Sequence, residues 1–519
     1  MVLKYPFIYF FIPLSRVTFD ANKKRTPLNH IKKLAGQTAI YGLSSILGRF
    51  LFYLLVPLHT AMFVTSQYGV ITEMYSYVSF LVVLLLYGME TAYFRFSTNE
   101  QADRQRVYST VMLALSVTST LFVALAWGFA QPVANFLKYP SNPEYIIWFA
   151  FILGLDALTA IPMARLRADN RAVKFAVVNL AAILITILLN LFFVGYCMAL
   201  HQKGQTNWLI DLCYNPAMGV GYVFIANLAG SAVKFVLLLP DMLKARGVVD
   251  VPLLRRMLRY ALPLLVFGLA GIVNETIDRI MLKWMLYHRI GAEATMSQIG
   301  IYGACYKVSI IITLFIQAFR YAAEPFFFAH QKEKGSLEVY ARVMTYFVIV
   351  CTTIFTGVLL YLDVVKYFID PAYWEGLGVV PILMCANICL GIYYNQSVWY
   401  KLSGQTQWGA YLGLGGAILT IGLNYWWIPL FGYIGSAWAT LACYAAMMMA
   451  SYFLGQKYFP IPYHLRRIAI YTGAALLVYG VSVWMPTSGV LLKYGVNTLL
   501  FLSFLALVFA LERRSLGRG

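Results

Sequence analysis

The sequence predicts an all-α polytopic membrane protein of about fourteen transmembrane helices. Three observations carry that expectation. Of 519 residues, 61% are hydrophobic and 12% charged, about half the charged share of a soluble globular chain, so lipid must be the solvent. Apolar runs of about 20 residues, long enough to cross a bilayer core, recur near residues 49, 82, 119, 154, 184, 230, 272, 311, 350, 388, 418, 443, 475 and 501. Finally, two parts of the chain repeat one another at a nearly constant offset.

The elements follow in order. Residues 1–35 are expected to be a cytoplasmic or interfacial segment. Its first part, MVLKYPFIYFFIPLSRVT, is broken by Pro6 and Pro13 and is too short to span. It reads as an interfacial stretch or as sequence upstream of the true start. The repeat then sets the lobes. SQYGVITEMY (66–75) echoes SQIGIYGACY (297–306), and AILITILLN (182–190) echoes AILTIGLN (417–424). The simplest reading is duplication of a six-span unit, giving an N-lobe over 36–241 and a C-lobe over 252–456, with a further helix pair over 465–511. Six is even, so the two lobes run parallel. Transporters built in this way bind cargo between lobes and open alternately to either side.

The net charge of +19 follows topology. With the amino terminus inside, most Lys and Arg fall in inside segments, while the outside loops keep Lys138, Lys203, Arg289, Lys366 and Lys493. This positive-inside asymmetry puts both termini in the cytoplasm and gives no reason to expect a nucleic-acid partner. The longest outside loop, about 200–218, leaves no room for a catalytic ectodomain. The seven cysteines form no CxxC, and HExxH, a ligand-spaced His pair and GxxxxGK[ST] are missing from the sequence. Neither a metal nor another cofactor is therefore expected. The Gly-rich GLGGAILTIG (413–422) lies within a span, where small residues let helices approach closely.

GIVNETIDRIMLKW (271–284) sets Glu275, Asp278, Arg279 and Lys283 inside a span, on one helical stripe. A charge facing lipid at mid-depth costs at least about 2.5–3.5 kcal/mol, so this stripe should face protein or water. Arg49 in span 1 maps by the repeat to within one residue of Arg279. Asp156 and Lys307 are further buried candidates for a cavity, beside Glu73, Glu90, Lys234, Arg320 and Glu324. In-membrane bases (Arg49, Lys234, Arg279, Lys283, Lys307, Arg320) and acids (Glu73, Glu90, Asp156, Glu275, Asp278, Glu324) balance. Mutual neutralisation, Glu275 with Arg279 and Arg49 with Asp156, is the competing reading. The functional one is that an arginine grips phosphate oxygens in a bidentate way, while a neighbouring carboxylate takes a proton or a sodium ion. Arg165, Arg167, Arg171 and Lys401 are candidates for a cytoplasmic mouth that concentrates an anionic headgroup, or for anchors to lipid headgroups.

TAIYGLSSILGRFLFYLLVPLHTAMF (38–63), SQYGVITEMYSYVSFLVVLLLYGMETAYFRFS (66–97) and GQKYFPIPYHLRRI (455–468) resemble the polysaccharide transporter family of the multidrug/oligosaccharidyl-lipid/polysaccharide exporter superfamily. The GMETAYFRF ending is most like members that export O-antigen or capsule repeat units. The resemblance implies a MATE-like fold, with twelve core helices in two bundles plus two. It implies translocation of undecaprenyl-pyrophosphate-linked oligosaccharide (O-antigen, capsule or exopolysaccharide units) to the outer leaflet of a bacterial cytoplasmic membrane. Membrane lipids and glycan polymerase or ligase machinery are the implied partners, with H+ or Na+ coupling. It also implies that Arg49, Glu275, Asp278 and Arg279 line the central cavity. Alternatives are a multidrug extruder, usually of twelve spans, a lipid II flippase, whose arginine-rich span 1 is not seen, and a membrane-bound glycan polymerase or ligase, which needs long outer loops.

Overall fold

The computed structural model describes residues 47–98, 103–247, 249–329, 331, 335–485 and 489–516. The expected amino-terminal segment, 1–35, and the start of the first span lie outside the described residues. Within them the chain is helical and contains no strand.

Twelve helices are long and apolar enough to cross a membrane. One, α13 (Gln407–Tyr458), has 52 residues, about 78 Å at 1.5 Å per residue, far more than a hydrocarbon core of about 30 Å. Gly432 breaks it with φ 57° and ψ −136°, a conformation open to glycine because it lacks a Cβ. A Cβ there would also meet Gln298 Oε1 at 2.5 Å. This helix is therefore the two expected spans 11 and 12. Adding the short apolar helix α1 (Leu47–Met62) restores the fourteen spans.

Contacts divide the chain into two compact units, Met1–Ile280 and Met281–Gly519. The division falls inside helix α9 (Val251–Ile290) and not in the connection near 242–251, where the sequence places the lobe boundary. The reason is packing: Leu253, Met257 and Ala261 of α9 are buried in one apolar cluster with residues of the preceding helices.

In the first unit, α6 (Pro143–Ala168) packs against α2 (Thr65–Leu86), α4 (Arg104–Gly128) and α8 (Gly221–Met242), while α8 also packs on α7 (Ala172–Asn190). Small residues permit the closest crossings. A Cβ on Gly230 of α8 would lie 2.1 Å from Thr186 Oγ1 and 2.8 Å from the Ala182 carbonyl of α7. In the second unit, α10 (Ala292–Ala329) and α13 pack on α12 (Val379–Gln396), and α14 (Leu465–Trp484) packs on α11 (Ser336–Leu360) and on α15 (Val490–Leu516). Lipid-facing sides keep their large apolar residues exposed, such as Leu477, Leu499 and Phe509.

The repeated motif adopts one local structure in both units. Asn190 Nδ2 donates to the Thr186 carbonyl at 2.8 Å, and Asn424 Nδ2 to the Thr420 carbonyl at 2.8 Å. Both asparagines are fully buried. In a segment with no water, each amide must find its acceptor in its own or a neighbouring helix.

Two departures from regular helix were not legible in the sequence. Span 2 breaks at Tyr87 (φ 32°) and Gly88 (φ 74°) before α3 (Met89–Ser97) resumes. A Cβ on Gly88 would sit 2.8 Å from the Ala261 carbonyl, so the GMETAYFRF segment uses its glycine both for backbone freedom and for contact with α9. In addition, residues Leu191–Met198 after α7 form a π-helix, a rare form often found at functional positions.

Gly88→Ala is expected to lower stability by at least about 1 kcal/mol, since an L-residue is strained at positive φ and the added methyl meets main chain. A thermal unfolding curve in detergent checks it. A second expectation concerns Asp363, in the connection after α11. Its carboxylate pairs with Lys493 and, at 3.0 Å, with Lys366. The Lys493 bond, with Lys366 adding to it against partial desolvation, holds the Asp363 carboxyl below the usual carboxylate range. A depressed carboxyl stabilises the fold above its unfolded pKa of about 3.9 and loses that contribution as pH falls through the folded pKa. Wild type should therefore melt higher than Asp363→Asn at neutral pH, and the gap should close under acid.

Candidate functional site

A helix crossing hydrocarbon can carry ionised side chains only where protein or water solvates them. The charged stripe of α9 obeys this rule. Asn274, Thr276, Asp278, Arg279 and Lys283 are all buried, with Arg279 5% and Lys283 2% exposed, while Glu275 is half-buried. The Arg279 guanidinium donates from Nη1 to Asp278 Oδ1 at 2.9 Å and to the Glu275 main-chain carbonyl. Asp278 Oδ1 also accepts the Arg279 backbone N–H at 2.9 Å. Arg279 thus meets the main-chain carbonyl of Glu275 and pairs with the Asp278 carboxylate. When the carboxylate of such a couple takes up a proton it becomes a neutral acid and leaves the guanidinium as an uncompensated cation able to grip an anion; loss of that proton restores the pair and releases the anion.

Asp156, 1% exposed on α6, accepts from Ser231 Oγ of α8 at 3.2 Å, and its carbonyl accepts from Thr159 at 3.1 Å. Close by, Asn227 of α8 donates to the Tyr75 hydroxyl. Arg49 is half-buried in α1, beside Gly48, where a Cβ would lie 2.6 Å from Ile183 Cδ1. Lys307 is half-buried in α10, within the second unit.

The mouth candidates differ among themselves. Arg167 is ion-paired with Glu90 and lies over the rings of Phe94 (5.1 Å) and Phe175 (5.7 Å), inside the packing of the first unit. Arg165 stacks at 4.3 Å on Tyr108 and lines a polar cavity with Arg104 and Asp169. Arg171 is exposed at the start of α7. Lys401, in the short helix Val398–Leu402, lines a small cavity with Arg320 and Asn395, where Arg320 lies 4.2 Å from the Tyr394 ring.

Two features escaped the sequence reading. His59 Nε2 and Asn190 Oδ1 are 2.8 Å apart and both residues are buried, immediately before the π-helix. A single His in the apolar VPLHTAMF was the only available signal. The other is the partner of Glu73: this carboxylate, expected to be buried and fully buried in α2, accepts from the hydroxyl of Tyr139, which lies between α4 and α6. Burial first, and then the Glu73 charge, push the Tyr139 phenol well above its ordinary value, so it stays a donor.

The family model described as polysaccharide biosynthesis protein matches residues 62–369. No curated protein matches the sequence. Among solved structures, the lipid II flippase MurJ in an inward closed conformation is similar at TM-score 0.69 and 12% identity, over 91% of this chain and 98% of that one. An inward-facing multidrug resistance MATE family transporter of the MOP superfamily is similar at TM-score 0.60 and 11% identity, over 78% of this chain and 93% of that one. An outward-facing multidrug resistance MATE family transporter of the same superfamily gives 0.55 and 14%, over 84% and 96%. At such identities the likeness establishes the MATE-like fold expected from the sequence, and not a cargo.

Removing one partner of a buried ion pair typically costs about 3–5 kcal/mol. Asp278→Ala should therefore be strongly destabilising, and Asp278→Ala with Arg279→Ala should recover part of the loss. Chemical unfolding of the two variants and the Arg279 single variant measures that coupling. Additive losses would remove the pair from the account.

Proposed function

Because this chain belongs to the polysaccharide biosynthesis protein family, we propose that it is the flippase of that biosynthesis. In this reading it carries an undecaprenyl-pyrophosphate-linked oligosaccharide, the repeat unit of O-antigen, capsule or exopolysaccharide, from the cytoplasmic to the outer leaflet of a bacterial inner membrane. One observation carries the proposal: the family match extends over most of a chain whose described residues are almost wholly membrane helices. A protein built in that way contributes to polysaccharide synthesis by moving an intermediate across lipid, not by joining sugars.

The buried stripe of α9 supports the same reading. Arg279 supplies a planar fork suited to pyrophosphate oxygens, and Asp278 neutralises it while no cargo is bound. Protonation of Asp278 or Glu275, or Na+ at the same carboxylates, frees the guanidinium and couples cargo movement to an ion gradient by alternating access. Arg49, Asp156 and Lys307 are the further cargo contacts in this scheme. Both termini face the cytoplasm, and polymerase or ligase enzymes take over the glycan on the far side.

The test is leaflet accessibility of lipid-linked oligosaccharide in cells depleted of the protein, probed with a membrane-impermeant glycan label in intact and inverted vesicles. Glycan held on the cytoplasmic leaflet, released by the wild type and at least about tenfold less by Arg279→Lys, is the expected result; Lys keeps the charge and loses the fork. Arg279→Lys working as well as wild type would take the fork out of the mechanism. A normal glycan distribution with altered retention of cationic dyes would replace the glycan reading with drug extrusion.

A further inference from the structure

The first unit holds a cavity lined by basic residues, separate from the charged stripe of α9. It has a volume of about 200 Å³ and is lined by Tyr93, Ser97, Arg104, Gln105, Arg165 and Asp169, among others. A single water needs only about 10–15 Å³ on this measure, so a multi-atom guest fits. Its walls are the end of α3, the first turn of α4 and the end of α6.

Several ion pairs surround the cavity. Arg106 holds Asp250 at 2.6 Å, Arg167 holds Glu90, and Lys174 and Lys244 hold the two oxygens of Asp241 at 2.5 and 2.6 Å. Arg165 is different. Its ring stacking on Tyr108, its Nε at 3.5 Å from Asp169 and its Nη2 at 3.3 Å from Gln105 Oε1 fix the guanidinium in place. Its Nη1 is buried with no hydrogen-bond partner among the described residues. The guanidinium is therefore held rigid on the wall of the cavity, with donor capacity that the described residues do not use. Arg104 supplies a second charge on the same cavity, and the Ser97 hydroxyl, bonded to the Phe94 carbonyl at a long 3.4 Å, is easily turned toward a better acceptor. Asp169 offsets one of the two charges, so the balance of the described lining residues is positive.

The geometry points to a binding site for a phosphate group between the ends of α3, α4 and α6, gripped by Arg165 and Arg104. A phosphate offers several oxygens to a planar fork, which a halide does not. The group comes either from an anionic phospholipid headgroup or from a soluble phosphate compound. The site lies within one compact unit and is independent of which cargo the protein carries.

Calorimetry on the full chain in neutral detergent tests this. One arm titrates inorganic phosphate at fixed ionic strength against a chloride control, and the other titrates dioctanoyl phosphatidylglycerol. Binding in either arm, about tenfold weaker in Arg104→Gln and in Arg165→Lys, supports the site. Binding of the lipid alone assigns it to a headgroup, and binding of inorganic phosphate as well assigns it to the phosphate group itself. Arg104 is exposed, so Arg104→Gln should retain the wild-type melting temperature and carries the test free of any loss of fold. No binding in either arm, binding no stronger than chloride, or binding unchanged in the two variants would overturn the proposal.

Discussion

An ionised side chain inside hydrocarbon cannot turn to water, and the rest of this structure is arranged around that constraint. Five carboxylates are buried among the described residues: Glu73, Glu90, Asp156, Asp241 and Asp278. Each meets a donor from protein: Tyr139, Arg167, Ser231, the pair Lys174 and Lys244, and Arg279. Most of these partners come from a different helix, so the same contacts that solvate a charge also hold helices together. The Arg279–Asp278 couple is different because both members sit on one helix, adjacent in sequence. It sets a neutral couple within the stripe, where a proton on Asp278 would release the guanidinium.

The small residues supply the second half of the arrangement. Lipid gives no hydrophobic drive between helices, so association rests on close packing and on hydrogen bonds. Gly230 against Thr186, and Gly88 against the Ala261 carbonyl, bring backbones to distances that any side chain would prevent. Asn190 and Asn424 then close their amides on the helix one turn earlier. The asparagines that end AILITILLN and AILTIGLN thus make the same local hydrogen bond.

Composition and run length were enough to read the helical membrane fold, because the length of an apolar run is fixed by bilayer thickness. Span count was legible too, although spans 11 and 12 form one helix of 52 residues until Gly432 is taken into account. The break at Tyr87–Gly88 and the π-helix after Asn190 were not legible, since a lone glycine and an unbroken apolar run carry no signal of either. The charged stripe could be placed on one face of α9 from spacing alone. Spacing alone did not point to the contacts of Arg279 with the neighbouring Asp278 and with the Glu275 carbonyl, because an adjacent side chain and a main-chain acceptor leave no periodic signal. His59 escaped notice because a single histidine in an apolar run resembles any buried residue.

The central claim is that a buried arginine–carboxylate couple moves a lipid-linked glycan. Reconstitution tests it most directly: the purified protein in liposomes loaded on one leaflet with undecaprenyl-pyrophosphate oligosaccharide, with transfer followed by an impermeant glycan-cleaving enzyme under an imposed proton or sodium gradient. The account predicts gradient-dependent transfer by the wild type and its loss in Arg279→Ala. Transfer equal to that of protein-free liposomes, or equal rates for wild type and variant, would contradict it.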